Sequence, residues 1–117
     1  MKLASAVCVT VAIAGVVGLP VARADQTATS TISQIKVLSP SDSRYRLFHG
    51  AVWLQVDKAT QNYRWGGKHC AGGGLSESSL ALLFAAFSAK HSVTIDYDVR
   101  RYRKQISRCI TGFTVAR

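Results

Sequence analysis

Few side chains in this sequence can support acid–base or nucleophilic chemistry. His49, His69 and His91 are widely separated, and none stands at the spacing of a metal-binding or metalloprotease motif. Asp96 and Asp98 would share one strand face, so a carboxylate pair is possible, although the solvent face of an edge strand near arginines accounts for them better. We therefore expect a protein that is not an enzyme and binds no metal or cofactor. A nuclease using a histidine with Asp96 is an alternative that no recognised spacing supports.

A basic cluster is the strongest charge feature of the chain. It contains five cations near the C-terminal end: Arg100, Arg101, Arg103, Lys104 and Arg108. The first four are our candidate anion-binding residues, for a phosphate, a sulfated glycan or an anionic membrane surface. Two alternatives stay open, namely a solvated loop paired with Asp96 and Asp98, or charge complementarity across a subunit interface. Only Tyr102 is interleaved, whereas nucleic-acid sites usually offer more aromatic rings for stacking.

The segment SPSDSRY, residues 39–45, is a second candidate surface. It gathers hydroxyls, a carboxylate and an aromatic ring, which are groups that hydrogen-bond to sugars and stack on them. The same composition is typical of a tight turn, because Pro40 fixes its backbone φ angle and Asp42 can bond to nearby backbone. The residue types alone are compatible with a sugar site and with a simple turn.

The first 24 residues have the pattern of a secretory signal peptide. Lys2 precedes an apolar run over residues 4–19, and an A-x-A cleavage pattern ends at Ala24. The run is short for a transmembrane helix, and no second apolar span follows it. We therefore expect an exported bacterial protein, secreted or periplasmic, without a transmembrane segment. Residues 25–117 would be its single domain, and their composition excludes a multidomain enzyme, a coiled coil or a disordered tail.

Two of the three cysteines remain after the signal peptide is removed. Cys8 lies in the apolar run, which leaves Cys70 and Cys109 as an even pair. A disulfide between them is the expected state in an oxidising compartment. Closing a loop of about 40 residues would stabilise the fold by about 3–4 kcal/mol. A metal site with His69 is the alternative, but no second cysteine or histidine stands at ligand spacing.

Hydrophobic alternation predicts the strands that must position these residues. In residues 51–57, Val52, Leu54 and Val56 share one face, which turns Trp53 to the other side. How far the two tryptophans are exposed stays open. Further strands are predicted over residues 31–38, 63–70, 92–98 and 105–115, with a basic connection over residues 100–104.

One helix is predicted between the strands. Ser76 is a suitable N-cap, and Glu77 lies in the first turn, where the helix dipole favours an anion. Four residues recur at helical spacing and form an apolar stripe: Leu80, Leu83, Phe84 and Phe87. The order of elements predicts an α+β, mainly β fold, an OB-like antiparallel barrel with one helix before the last two strands.

The helix SLALLFAAFSAKHS running into the strand VTIDYD is the part of the chain most typical of a known family. Together with ISQIKV, AVWLQVD, the KHC segment and ISRCITGFTV, it resembles the B subunits of AB-type pentameric toxins. The resemblance is to the subtilase cytotoxin and pertussis toxin group, and it covers residues 31–115. It implies an OB fold, a homo- or hetero-pentameric ring and glycan binding without catalysis. This sequence departs from that family by having no cysteine in AVWLQVD.

The resemblance also implies where a sugar would bind. Sugar sites of that family use serine, aspartate and aromatic residues soon after the first strand, and only residues 39–45 occupy that place here. The residues carried over are Ser41, Asp42, Ser43 and Tyr45.

Two functional hypotheses follow. The first is a secreted, non-enzymatic binding subunit that recognises a glycan or another cell-surface ligand. It would form a homo-oligomer, with a pentamer as the implied form and a catalytic A subunit as a possible partner. The alternative is a cationic exported protein that binds polyanions, such as nucleic acid or lipopolysaccharide, through residues 100–108.

Overall fold

The computed structural model describes residues 25–117, and the predicted signal peptide lies outside them. The described chain contains one helix, α1 (Glu77–Ala89). Its strands are β1 (Asp25–Gln26), β2 (Ser30–Val37), β3 (Gly50–Leu54), β4 (Tyr63–Trp65), β5 (Ser92–Tyr102) and β6 (Gln105–Ala116). Because α1 lies between β4 and β5, the prediction of one helix before the last two strands is confirmed.

The six strands form one sheet that closes in a ring. Its order is β1-β5-β2-β3-β4-β6, and β6 pairs back onto β5 along nearly its whole length. β4 and β6 are parallel, with Arg64 opposite Cys109, whereas the other neighbours are antiparallel. The two longest strands, β5 and β6, are rich in β-branched and aromatic residues, which favour extended backbone. The predicted α+β, mainly β class is therefore confirmed.

The main hydrophobic core lies inside the ring, and a smaller cluster lies outside it. The main core contains ten buried residues: Ile32, Val52, Leu54, Tyr63, Trp65, Leu83, Ala86, Val93, Ile95 and Ile110. The smaller cluster consists of Leu38, Phe48 and Ala51, and Trp53 packs against it. Trp53 is therefore only partly exposed, although it points away from the main core as predicted. Val56 is exposed, contrary to its predicted place on the core face, because β3 ends at Leu54.

The helix begins and ends at residues that cap it. The Ser76 Oγ accepts a hydrogen bond from the Ser79 backbone N–H at 3.1 Å, which satisfies one of the free donors of the first turn. Glu77 lies in that first turn, as predicted. At the other end, Lys90 takes a left-handed backbone with φ 58°, and its N–H bonds back to the carbonyl of Phe87. The predicted helix start is confirmed.

The face that α1 turns toward the ring differs from the predicted stripe. Leu83 and Ala86 are the buried residues of the helix, and Leu80 packs beside them. Phe84 and Phe87 are 39% and 40% exposed, so their predicted place in the buried stripe is wrong. The helix is apolar on nearly all sides, so the spacing of its apolar residues does not indicate which side is buried. The way the helix packs on the ring decides that.

β5 and β6 continue beyond the ring as a two-stranded ribbon, residues 99–108, which we call the basic ribbon. Within the described chain, this part of each strand pairs only with the other. Arg103 and Lys104 connect the strands, and Arg103 has φ 58°, a conformation that costs a non-glycine residue about 1–2 kcal/mol. The predicted basic connection over residues 100–104 is wrong in part, since Tyr102 and the two residues before it belong to β5.

A disulfide and a glycine fix the segment that follows β4. Cys70 and Cys109 form the predicted disulfide, with their Cα atoms 5.5 Å apart. It joins this segment to β6 at the residue that pairs with Arg64. Gly67 has φ 71°, and a Cβ there would collide with the backbone of Leu47, so a side chain has no room. The backbone of this segment therefore lies close against the backbone of residues 47–48.

Candidate functional site

The predicted sugar-binding residues lie on one ordered turn between β2 and β3. Ser41 and Ser43 are exposed, whereas Asp42 and Tyr45 are partly buried. Ser39 starts the turn: its Oγ accepts the Ser41 N–H at 3.3 Å and its carbonyl accepts the Asp42 N–H at 2.8 Å. The four residues thus lie on one turn whose backbone is held by its own hydrogen bonds.

Arg44 holds the carboxylate of Asp42 in place. Oδ1 accepts hydrogen bonds from the Arg44 backbone N–H at 2.8 Å and from Nε at 3.0 Å, and Oδ2 accepts one from Nη2 at 2.9 Å. The side-chain hydrogen bonds, followed by the backbone bond, lower the pKa of Asp42 from 3.8 to about 2. Since an ionised carboxylate offers about four acceptor positions, Oδ2 keeps capacity for a ligand hydroxyl.

Tyr45 presents a ring whose orientation is fixed. It stacks on the His49 ring, with centroids 4.1 Å apart and planes 11° from parallel. Tyr45 also packs against the smaller hydrophobic cluster. A rigid, partly exposed aromatic ring beside hydroxyls and a carboxylate is suited to stacking on the apolar face of a sugar.

The predicted anion-binding residues lie at the end of the basic ribbon. Arg101, Arg103 and Lys104 are exposed. Arg100 is exposed as well, but it has partners: its Nη1 donates to the carbonyl of Ala71 at 2.7 Å, and its Nη2 lies 3.6 Å from the Asp98 carboxylate. Arg100 therefore ties the ribbon to the segment beside the disulfide, and part of the expected pairing with acidic residues is present.

His69 lies between the two predicted segments. Its ring centroid is 6.1 Å from that of Phe48, just after the turn, and 5.9 Å from that of Tyr102, at the end of the ribbon. Its Nδ1 lies 3.0 Å from Nη1 of Arg64, and because a guanidinium only donates, Nδ1 must accept. Burial, followed by the Arg64 charge, lowers the pKa of His69. His69 is therefore a neutral packing and positioning group.

Arg64 is a residue of this site that the sequence analysis missed. Its guanidinium lies 4.1 Å from the ring centroid of Phe48, and its Nε donates to the Asn62 Oδ1 at 3.2 Å. Burial lowers the pKa of Arg64. The available signal was the alternation in β4, where Tyr63 and Trp65 face the core and the residue between them must face outward.

The suggested acid–base residues are not assembled into a catalytic group. Asp96 accepts a hydrogen bond from the Gln26 amide at 2.8 Å, whereas His49 and His69 contact Tyr45 and Arg64. In residues 25–117, no group of three histidine, cysteine, aspartate or glutamate side chains could hold a metal ion. The polar groups that do converge are hydrogen-bond donors and acceptors around aromatic rings.

Comparisons with protein-family models, with curated proteins and with solved structures found no match. No helix in the part of the chain that the structure describes is long and apolar enough to cross a membrane.

The Asp42–Arg44 pair makes a pH prediction. Because the pKa of Asp42 is lower in the folded protein than in an unfolded chain, the pair contributes stability above about pH 4 that is lost as the pH falls toward 2. We expect a carboxyl ¹³C NMR titration to give Asp42 a pKa of about 2. In Arg44→Gln, the value should return toward 3.8, and stability should fall less steeply between pH 4 and pH 2.

Arg46→Gln is the matched control, because Arg46 lies on the same segment but donates to the Ser43 carbonyl and not to Asp42. It should leave the Asp42 titration unchanged. An Asp42 pKa that is the same in the Arg44→Gln variant and in the parent protein would contradict the assignment.

Proposed function

We propose that this protein is a secreted, non-enzymatic, OB-like binding subunit that recognises glycans and assembles into a ring, in the manner of pentameric toxin B subunits. The observation that carries the proposal is the strand connectivity. The ring runs β2-β3-β4-β6-β5 and back to β2, with α1 between its third and fourth strands. This connectivity supports an OB-like barrel of five strands.

That connectivity gives the two predicted segments a common role. OB folds bind oligosaccharides and oligonucleotides on the face of their second and third strands and on two flanking loops. Here the second and third ring strands are β3 and β4, which carry Trp53 and Arg64. The flanking loops are the turn with residues 39–45 and the tip of the basic ribbon. His69 lies between Phe48, just after the turn, and Tyr102, at the tip of the ribbon, which supports one continuous binding face.

The chemistry of this face favours a glycan over a flat apolar ligand. Asp42 supplies an ionised acceptor, and Ser41 and Ser43 supply exposed hydroxyls. Tyr45 supplies a fixed ring for stacking. The cations at the other end of the face favour a glycan that carries negative charge.

Exposed apolar side chains on α1 support assembly with further copies of the chain. Leu82, Phe84 and Phe87 are 51%, 39% and 40% exposed on one helix. Phe84 and Phe87 lie nearly one turn apart on the same side of α1, and exposed apolar side chains grouped in this way usually mark an interface. In the proposed ring of subunits, the helices of the copies would pack around the centre. Each copy would present its glycan site on the side away from its helix.

A glycan array tests the recognition step. We expect the oxidised protein to bind a subset of acidic glycans, with Asp42→Asn and Ser43→Ala weakening binding about tenfold, because each removes a bond to a ligand hydroxyl. Ser88→Ala is the matched control, since Ser88 is an exposed serine on the helix. Absence of binding to any glycan by the parent protein would refute glycan recognition.

Light scattering of the oxidised protein tests the assembly. A mass about five times that of one chain is expected for a closed ring. Phe84→Ser with Phe87→Ser should reduce the mass to that of a monomer, because these substitutions remove the apolar contact. Val37→Ser changes an apolar residue that is 53% exposed on β2 and should leave the mass unchanged. A monomeric parent protein would exclude the ring.

A second candidate function is polyanion binding, and the exposed cations of the basic ribbon favour it. Arg101, Arg103 and Lys104 make no ion pair within the described chain. For a DNA oligomer, we expect affinity to fall steeply with salt, and Arg101→Ala with Arg103→Ala should lower the log–log salt slope by about 2. Arg117→Ala, at the opposite end of β6, is the control. An affinity independent of salt would remove this candidate.

A further inference from the structure

A small polar cavity lies where β6 extends past the start of β4. Its volume is about 100 Å³. Its polar lining comes from Thr60, Asn62, Arg64, Gln105, Ser107 and Arg108. The cavity adjoins the proposed binding face, because Arg64 belongs to both. None of the residues named as glycan-binding in the sequence analysis lines it, and Arg108 is the one member of the basic cluster that does.

The cavity carries positive charge that is not neutralised inside the described chain. Two arginines line it, and no aspartate or glutamate does. Within residues 25–117, ion pairs join Asp42 to Arg44 and Asp98 to Arg100, and none involves Arg64 or Arg108. Both arginines therefore bring positive charge to the lining of the cavity, with no carboxylate beside them in the described chain.

Ser107 provides a second, independent indication of a ligand. It is only 5% exposed, and its Oγ is buried without a hydrogen-bond partner in the described chain. Buried hydroxyls are nearly always hydrogen-bonded, because burial without a partner is unfavourable. A ligand oxygen in the cavity that Ser107 lines would supply the missing partner.

Arg64 is held in position before any ligand arrives. Its Nε donates to Asn62, its Nη1 donates to His69, and its guanidinium lies against the ring of Phe48. In the described chain, its Nη2 makes no hydrogen bond. An arginine that is already oriented loses little conformational freedom when it binds an anion, which favours affinity.

We propose that this cavity binds a tetrahedral oxyanion, the sulfate or phosphate group of a larger ligand. Arginine matches such groups in geometry and charge, and neutral donors from Thr60, Asn62, Gln105 and Ser107 would reach the remaining oxygens. The volume suits one small group rather than a whole sugar ring. This proposal deepens the proposed function. It rests on that function only for the identity of the larger molecule that carries the sulfate or phosphate group.

Inorganic sulfate tests the cavity without any glycan. We expect titration of ¹⁵N-labelled, oxidised protein at constant ionic strength to give saturable shifts at the amides of residues 105–108. The Arg64 side-chain Nε–H should shift with them. Inorganic phosphate should compete at the same signals, whereas acetate, a planar anion, should bind about tenfold more weakly. A sulfated monosaccharide compared with a phosphorylated one then identifies which ester is preferred.

Two variants and a control assign the binding to this cavity. Arg108→Gln and Ser107→Ala should each weaken sulfate binding about tenfold. Ser107→Ala should leave thermal stability equal or higher, because it removes an unpaired buried hydroxyl. Arg117→Gln removes the same charge far from the cavity and should not change the affinity.

The outcomes separate this inference from the function on which it rests. Shifts that do not saturate, or that fall equally in Arg117→Gln and Arg108→Gln, would mean general charge screening and would overturn the oxyanion site. Unchanged sulfate affinity in Ser107→Ala would also overturn it. Saturable sulfate binding without any signal on the glycan array would support the cavity and refute glycan recognition.

Discussion

The closed ring depends on the contact between β4 and β6. β4 has only three residues, and its parallel pairing with β6 places Arg64 opposite Cys109. So short a parallel pair is weak by itself. The disulfide from Cys109 to Cys70 acts at the same point and contributes about 3–4 kcal/mol through loop closure. This closure encloses the main core, and it places Arg64 and His69 between the turn of residues 39–45 and the basic ribbon.

The resulting face combines rigidity with charge. Its central groups hold one another: Arg64 donates to His69 and lies against Phe48, and His69 lies between Phe48 and Tyr102. Burial lowers the pKa of His69, which suits a neutral acceptor beside a guanidinium. Exposed cations and fixed hydrogen-bonding groups flank this centre on opposite sides. Such an arrangement is suited to holding a charged ligand in one orientation.

The sequence permitted local predictions more readily than long-range ones. The Ser76 cap, most strands and the Cys70–Cys109 pair follow from local chemistry and from cysteine usage. The buried side of α1 did not follow, because the helix is apolar on nearly all sides and its docking decides the outcome. High charge made residues 100–104 look like a loop, whereas pairing with β6 extends β5 through them. Both candidate segments were identified from composition, but the contact of Arg64 with Phe48 depends on the pairing of β3 with β4, which composition does not contain.

The parallel contact between β4 and β6 also has a consequence for how the chain folds. It joins strands that are far apart in the sequence, as do the pairs between β2 and β5. Folds dominated by such long-range pairings form slowly, because loop-closure entropy is lost before the contacts are gained. Until β6 docks, β4 and β5 each leave an edge with unpaired backbone groups. Open strand edges invite pairing with other chains. The last strand therefore decides whether a newly made chain closes on itself or aggregates with its neighbours.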